Sequence, residues 1–175
     1  MDLSADTTIN FPLDLVFAAY RDELTSLVEF MPNIRRIEVK SREEEGSRVR
    51  LVNEWHGGGE MPAAARVVLS ESMLSWTDYA DWDSDDHSCT WRIATHSFKD
   101  AVDCHGKNRF VAVGDTTRLE IRGQLGIDAS KVRAVPKLLQ KSVGKTIEDF
   151  LVKKITPNLL DVSAGLARYL EKRHG

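Results

Sequence analysis

The 175 residues predict an α+β fold: a curved, seven-stranded antiparallel sheet wrapped around one long C-terminal helix, with two short helices after the first strand. Three observations predict it. Apolar and polar residues alternate with period 2 in segment after segment between Leu3 and Ile127, as in a sheet with one wet face. Helical spacing interrupts this between the first and second strands. It then takes over the last quarter, Val132 to Tyr169. There Val135, Leu139, Val143, Ile147, Phe150, Leu151 and Ile155 recur at steps of three and four, with Lys137, Lys141, Lys145, Asp149, Lys153 and Lys154 mostly on the other face. Unbroken, that segment would run roughly 55 Å and would need a long partner surface. A half-polar antiparallel sheet supplies one.

Taken in order, Leu3, Ala5, Thr7, Ile9 and Phe11 alternate with polar neighbours and read as the first strand. Pro12 suits the first position of a helix, with Asn10 nearby as its cap, and Leu13, Val16, Phe17 and Tyr20 keep helical spacing. A second short helix, Glu23 to Phe30, ends at Pro32, which disfavours helical geometry at Met31. Ile37, Val39 and Ser41 then face Val49, Leu51, Asn53 and Trp55 across a hairpin. A three-residue loop, Glu44-Glu45-Gly46, would set Val39 opposite Leu51. Residues 62–70, after Gly57-Gly58-Gly59, suit a short helix by their three alanines or a strand by Val67 and Val68.

Leu74, Trp76, Asp78, Ala80 and Trp82 share the inner face of the next strand. An acidic turn, Asp83 to Asp86, would pair Trp82 with His87, Ala80 with Cys89, Asp78 with Trp91 and Trp76 with Ile93. With Phe98 to Ala101 as the following turn, Thr95 meets Cys104 and Cys89 meets Phe110. The inner row of that long strand is Val102, Cys104, Gly106, Asn108, Phe110 and Ala112. Gly114-Asp115 is a two-residue hairpin turn, and Thr117, Leu119, Ile121, Gly123, Leu125 and Ile127 form the last inner row. Cys89 and Cys104 then lie six residues apart on adjacent strands, roughly 20 Å, so two buried free thiols are expected.

This order resembles the helix-grip fold of the START-like (SRPBCC) superfamily, which includes polyketide cyclases, lipid-transfer domains and coenzyme Q-binding proteins. The resemblance rests on Thr7-Thr8-Ile9-Asn10-Phe11-Pro12-Leu13-Asp14-Leu15-Val16-Phe17, on the Met31-Pro32-Asn33 closure, and on the charged hairpin leading to Trp55. It covers nearly the whole chain, 1–175, as a single domain. It implies a cavity between sheet and terminal helix that holds a hydrophobic small molecule or lipid. Thr156-Pro157-Asn158 departs from the pattern: Pro157 removes a helix hydrogen bond and should kink or split the terminal helix, with Thr156 capping a second piece.

Composition excludes several classes. A net charge of −3 argues against a nucleic-acid partner, and no apolar run approaches the eighteen or so residues of a membrane span. The first ten residues carry Asp2 and Asp6 and no basic apolar leader, and two cysteines make no disulfide framework, so a cytoplasmic protein is expected. His56-Gly57-Gly58-Gly59 lacks any G-x-S-x-G nucleophile to serve and reads as a glycine turn. Asp81, Asp83 and Asp85 open like a calcium loop, but Asp86 and Arg92 stand where Gly and Glu are needed. Of the five histidines only His87 shares the inner parity, so neither a metal centre nor a Cys–His pair with Cys104 is expected, and no cofactor is implied.

Asp78 is the one odd residue on the inner faces, a carboxylate in a row with Trp76, Ala80 and Trp82. Burial disfavours its charge, so a raised pKa is expected unless a donor, such as the Trp91 indole, satisfies it. The expected lining of a cavity is Asn53, Trp55, Trp76, Asp78, Trp91, Thr95, Phe110 and Ile121 from the sheet, with Val143, Ile147 and Phe150 from the helix. Small inward residues, Ala80, Cys89, Thr95, Gly106, Ala112 and Gly123, would leave it room. Three functions follow: binding or transport of a hydrophobic ligand, a cyclase or aromatase using Asp78 as general acid/base, and a protein-interaction module on the outer face. The residues set no oligomeric state.

Overall fold

The computed structural model describes residues 1–58, 74–97, 99–128, 131 and 161–174. They form β1 (Asp2–Ile9), α1 (Leu13–Asp22), a 3-10 turn (Ser26–Phe30), β2 (Ile34–Glu45), β3 (Arg48–Gly57), β4 (Ser75–Asp83), β5 (Ser88–Thr95), β6 (Val102–Val113), β7 (Thr116–Ile127) and a terminal helix over 161–174. All seven strands lie in one open antiparallel sheet in the order β1-β7-β6-β5-β4-β3-β2. The α+β architecture is the expected one. Pro157 and residues 62–70 lie outside the described residues.

One closure makes the sheet. After β7 the chain has returned beside its own beginning, and β1 pairs with β7 along its whole length, from Asp2 with Gln124 to Ile9 with Thr117. The inner rows Leu3, Ala5 and Ile9 thereby join Leu119, Ile121 and Leu125 in a single core. Val162, Leu166, Tyr169 and Leu170, one stripe of the terminal helix, complete it. Gly165 lets that helix approach closely: a Cβ there would lie 3.1 Å from Met31 Cγ. Around this contact Phe30 packs edge-on to Tyr169, Asn33 Nδ2 donates to Asp161 Oδ2 at 2.9 Å, and Lys172 pairs with Glu29 at 2.8 Å.

Three expected registers are each displaced by two residues. The β2–β3 turn is Gly46-Ser47 rather than Glu44-Glu45-Gly46, and a bulge between Val39 and Ser41 sets Val39 opposite Asn53, not Leu51. Gly46 takes the left-handed backbone (φ +61) that a two-residue turn needs. Beyond the bulge β2 leaves the core: Val39 is 47% exposed, and Lys40 to Glu45 present charges along a sheet edge, which discourages pairing with another chain. In β4–β5 the turn is Ser84 to His87, with His87 itself left-handed (φ 48). Trp82 therefore faces Cys89, Ala80 faces Trp91, Asp78 faces Ile93 and Trp76 faces Thr95. In β5–β6 Cys104 pairs with Ile93 and Cys89 with Asn108, not with Thr95 and Phe110. Gly114-Asp115 forms the β6–β7 turn as expected.

The helices before β2 also differ in detail. Pro12, not Asn10, is the N-cap of α1, with extended ψ of 149° and no side-chain cap. Glu23 to Phe30 is too short before Pro32 to develop an α-helix; only Ser26–Phe30 turns, as 3-10. Leu24 and Leu27 are nevertheless buried in the core. Both cysteines are free and buried, and the corrected register puts them four residues apart, roughly 13 Å.

Candidate functional site

The corrected pairings arrange the inner face as successive rungs across the sheet. The first is Trp55–Trp76–Thr95, the second Asn53–Asp78–Ile93–Cys104–Leu125, and the third Leu51–Ala80–Trp91–Gly106–Gly123–Leu3. The fourth is Val49–Trp82–Cys89–Asn108–Ile121–Ala5, and beyond it Phe110 faces Leu119. Helix α1 fills this far end. Phe17 meets Trp82, His87 and Phe110 edge-on at centroid distances of 5.2–5.3 Å, and Tyr20 packs on Trp82 and Phe110. Arg21 donates to Ser84 at 3.1 Å and His87 lies 3.3 Å from Asp14, fastening α1 to the β4–β5 turn.

The near end is different. Trp76, Asp78, Ile93 and Thr95 point inward yet are only half-buried, whereas Leu51, Ala80, Trp82, Cys89 and Trp91 behind them are buried. Polar atoms gather there. Asn53, 1% exposed, donates from Nδ2 to Asp78 Oδ2 at 3.2 Å, while its own Oδ1 has no hydrogen-bond partner among the described residues. Thr95 Oγ1 and Trp55 Nε1 are buried and unpartnered in the same sense. Trp55 and Trp76 stack, with centroids 5.8 Å apart and planes 16° apart, and form one wall.

Burial pushes the Asp78 carboxyl up to about 6, against which the Asn53 amide and the neighbouring Trp55 indole act in part. The Trp91 indole does not satisfy it, contrary to expectation: Trp91 Nε1 donates to Asn108 Oδ1 at 2.8 Å. The two-residue register shift is the reason, since it moves Trp91 from beside Asp78 to the next rung. Titratable groups among the described residues also sense Asp78. Tyr20, Cys89 and Cys104 all feel its charge, and burial holds the Tyr20 phenol well above 10, the Cys89 thiol well above 9 and the Cys104 thiol up to about 12.

Gly106 and Gly123 have another use than the one expected. A Cβ on Gly106 would lie 2.4 Å from Trp91 Cζ2, and one on Gly123 would lie 2.8 Å from Trp91 Cη2. The Trp91 ring therefore lies across these two glycines and takes the room they provide. Ala112 is exposed and leaves no internal space.

Of the expected lining residues, Asn53, Trp55, Trp76, Asp78 and Thr95 come together on the first two rungs, with Trp91 on the third. Ile121 and Phe110 sit farther along, the latter against α1. Val143, Ile147 and Phe150 lie outside the described residues. Tyr20 and Asn108 were not among the expected lining residues; the helical stripe of Tyr20 with Val16 and Phe17, and the inner row of Asn108, were the signals available for them.

The other candidate centres resolve differently. The acidic turn is matched by cations and a hydroxyl: Arg50 with Asp81, Arg48 with Asp83, Lys107 with Asp86, and Ser47 with Asp85. No set of three His, Cys, Asp or Glu able to hold a metal occurs among the described residues. His96 holds Ser75 and Thr77 hydroxyls at 2.9 Å on its two ring nitrogens, on strand positions facing away from the core. On the outer face Arg92 lies over Tyr79, 4.3 Å from the ring centroid. The exposed large apolar residues described, Met1, Val39, Tyr79 and Val113, are scattered and form no patch suited to a protein partner. No described helix is long and apolar enough to cross a membrane.

No protein-family model and no curated protein matches the chain. Solved structures do. TTHA0849 from Thermus thermophilus superimposes with a TM-score of 0.72 at 16% identity, covering 100% of both chains. The Zhui aromatase/cyclase from Streptomyces sp. R1128 gives 0.67 at 16% identity over 99% of this chain and 94% of its own. A START superfamily protein from Mycobacterium smegmatis gives 0.53 at 13% identity over 97% and 98%. At such identities the likeness is one of fold: the chain has the START-like helix-grip architecture.

Proposed function

Starting from a START-like helix-grip fold, we propose that this protein binds an apolar small molecule or lipid against the inner face of its sheet, at the Trp55–Trp76 end. The observation that carries this is the gradient of burial along the inner face. Inward-facing Trp76, Asp78, Ile93 and Thr95 retain solvent exposure, while the same face is closed by α1 at its other end. A core with no occupant to admit gains about 25 cal/mol for each further Å² of apolar surface it closes, so open apolar wall is costly unless something fills it. Trp55, Trp76 and Trp91 give the wall; Asn53, Asp78 and Thr95 give orientation.

The test is solvent extraction of the natively purified protein followed by mass spectrometry, with displacement of a fluorescent anilinonaphthalene probe as a second readout. A stoichiometric apolar compound, or saturable probe binding that Trp76→Ala weakens, is expected. Absence of both would overturn the reading.

A second reading is favoured by Asp78 itself. A carboxyl raised to about 6 is suited to proton transfer near neutral pH, and Tyr20 stands within its field as a neutral phenol. The fold likeness to an aromatase/cyclase makes cyclisation of a polyketide-type chain the reaction to try. Turnover that survives Asp78→Asn unchanged would remove Asp78 from any such role.

A further inference from the structure

The polar atoms at the open end are not a balanced set. Trp55 Nε1 is the lone obligate donor among the buried unpartnered atoms there, since Trp82 Nε1 lies two rungs beyond Asp78 at the end that α1 closes. It adjoins Asp78, whose proton release it favours. The acceptors outnumber it. Among the described residues Asn53 Oδ1 is buried without a donor, the Thr95 hydroxyl, able to donate or accept, is buried without a partner, and of the Asp78 oxygens only Oδ2 accepts a hydrogen bond. Asn53 cannot turn its amide round to cure this, because Nδ2 would then leave Asp78.

The charge is equally unmatched. Ion pairs of the described residues lie on the outer strand faces, at hairpin tips and beside the terminal helix, and none of them includes Asp78. Among the described residues the titratable groups that sense Asp78 are Tyr20, Cys89 and Cys104, neutral acids that bring no positive charge. An ionised carboxylate in apolar surroundings calls for a cation with N–H groups. Aromatic walls favour a cation over a neutral group of the same shape. Trp55 and Trp76 occupy the rung on one side of Asp78, and Trp91 the rung on the other.

We propose that the ligand of this site is an organic cation, a protonated primary or secondary amine on an apolar body, whose ammonium donates to Asp78 Oδ1 and Asn53 Oδ1. The inference rests on the proposed inner-face binding site and adds the chemical class of what enters it. A neutral alcohol brings one donor and no charge, so it leaves one acceptor dry and the carboxylate unmatched. A carboxylic acid brings a like charge and is excluded.

The test is calorimetric titration at pH 7.5 with two probes that differ only at the polar end, 2-(2-naphthyl)ethylamine and 2-(2-naphthyl)ethanol. The amine is expected to bind about tenfold to a hundredfold more tightly, the range of a charge-assisted hydrogen bond over a neutral one. In Asp78→Asn the preference should vanish; in Asp86→Asn, which removes a carboxylate from the β4–β5 turn instead, the preference should persist. An alcohol that binds as well as the amine to the unaltered protein would overturn the cation assignment and leave the apolar site standing. Failure of either probe to bind, together with no displacement of the fluorescent probe, would overturn both.

Discussion

Replacing Asp78 by Asn should make the protein more stable at neutral pH. In the native structure burial raises this carboxyl from 3.8 to about 6, a shift of about two units. One unit corresponds to about 1.4 kcal/mol, so the ionised side chain costs about 3 kcal/mol at pH 7.5; its half-burial leaves some hydration and brings the figure nearer 2. The sign follows from proton uptake. Below about pH 4 the carboxyl is neutral in both folded and unfolded chains, and the two proteins should differ little. Between about 4 and 6 the unfolded chain ionises first, and the natural protein loses stability relative to the variant. Above about 6 both states are ionised and the difference levels off. The substituted amide keeps an oxygen for Asn53 Nδ2 and brings an N–H that Asn53 Oδ1 lacks, so packing is preserved. Urea unfolding of both proteins at pH 4, 5, 6 and 7.5 measures the difference directly. For a chain of this size, about 2 kcal/mol corresponds to about 4–8 °C in Tm. A difference that is flat with pH, or a natural protein that is the more stable at pH 7.5, would show that Asp78 is not destabilised by burial.

Three further outcomes are expected. Phe17→Ala, which removes the ring that closes the far end of the inner face against Trp82, His87 and Phe110, should cost about 3–5 kcal/mol in urea unfolding; a loss under about 1 kcal/mol would mean α1 is not packed as described. Gly106→Ala places a methyl 2.4 Å from both Trp91 Cζ2 and the Arg122 carbonyl, so stability should fall by about 1–3 kcal/mol and the near-ultraviolet tryptophan signal should change. An unchanged spectrum would place the Trp91 ring elsewhere. Cys89 and Cys104 should resist a thiol reagent in the native protein and react at once in denaturant, since burial raises both thiols and little thiolate forms; fast native labelling of either would contradict their position on the inner rows.

On the proposed binding role, stability and function pull apart at Asp78. Leucine or asparagine at this point of β4 would close the near end at less cost, as Ala80 and Trp82 do one and two rungs further along. The carboxylate is tolerated because the rest of the core is extensive. Seven strands and three helical segments contribute residues to one cluster, and a penalty of about 2 kcal/mol is small beside what such a core supplies. A carboxylate held at such a cost, with three further polar atoms left unpartnered beside it among the described residues, is the pattern expected of a site that awaits its occupant.

Which side chains face inward was readable from the residues alone. Alternation is a local property, because each strand residue points opposite to its neighbours whatever lies beside it. The inner rows Asn53–Trp55, Trp76–Trp82, Cys89–Thr95 and Leu119–Leu125 follow from that. Register was not readable in the same way. A shift of two residues leaves every side chain on its own face, so hydrophobic pattern cannot detect it. The choice falls to turns: Gly46-Ser47 instead of a three-residue loop, a left-handed His87 instead of a turn ending at Asp86, and the Val39–Ser41 bulge. Each is a small local energy that tertiary packing overrides. Packing therefore decided that Trp91 lies on Gly106 and Gly123 and bonds Asn108 instead of Asp78. It also decided that Tyr20, from a helix distant in sequence, stands within the field of that carboxyl. The alternating pattern put Asp78 inside; only the three-dimensional pairing of β3, β4 and β5 set it beside Asn53 and Ile93, with no cation paired to it among the described residues.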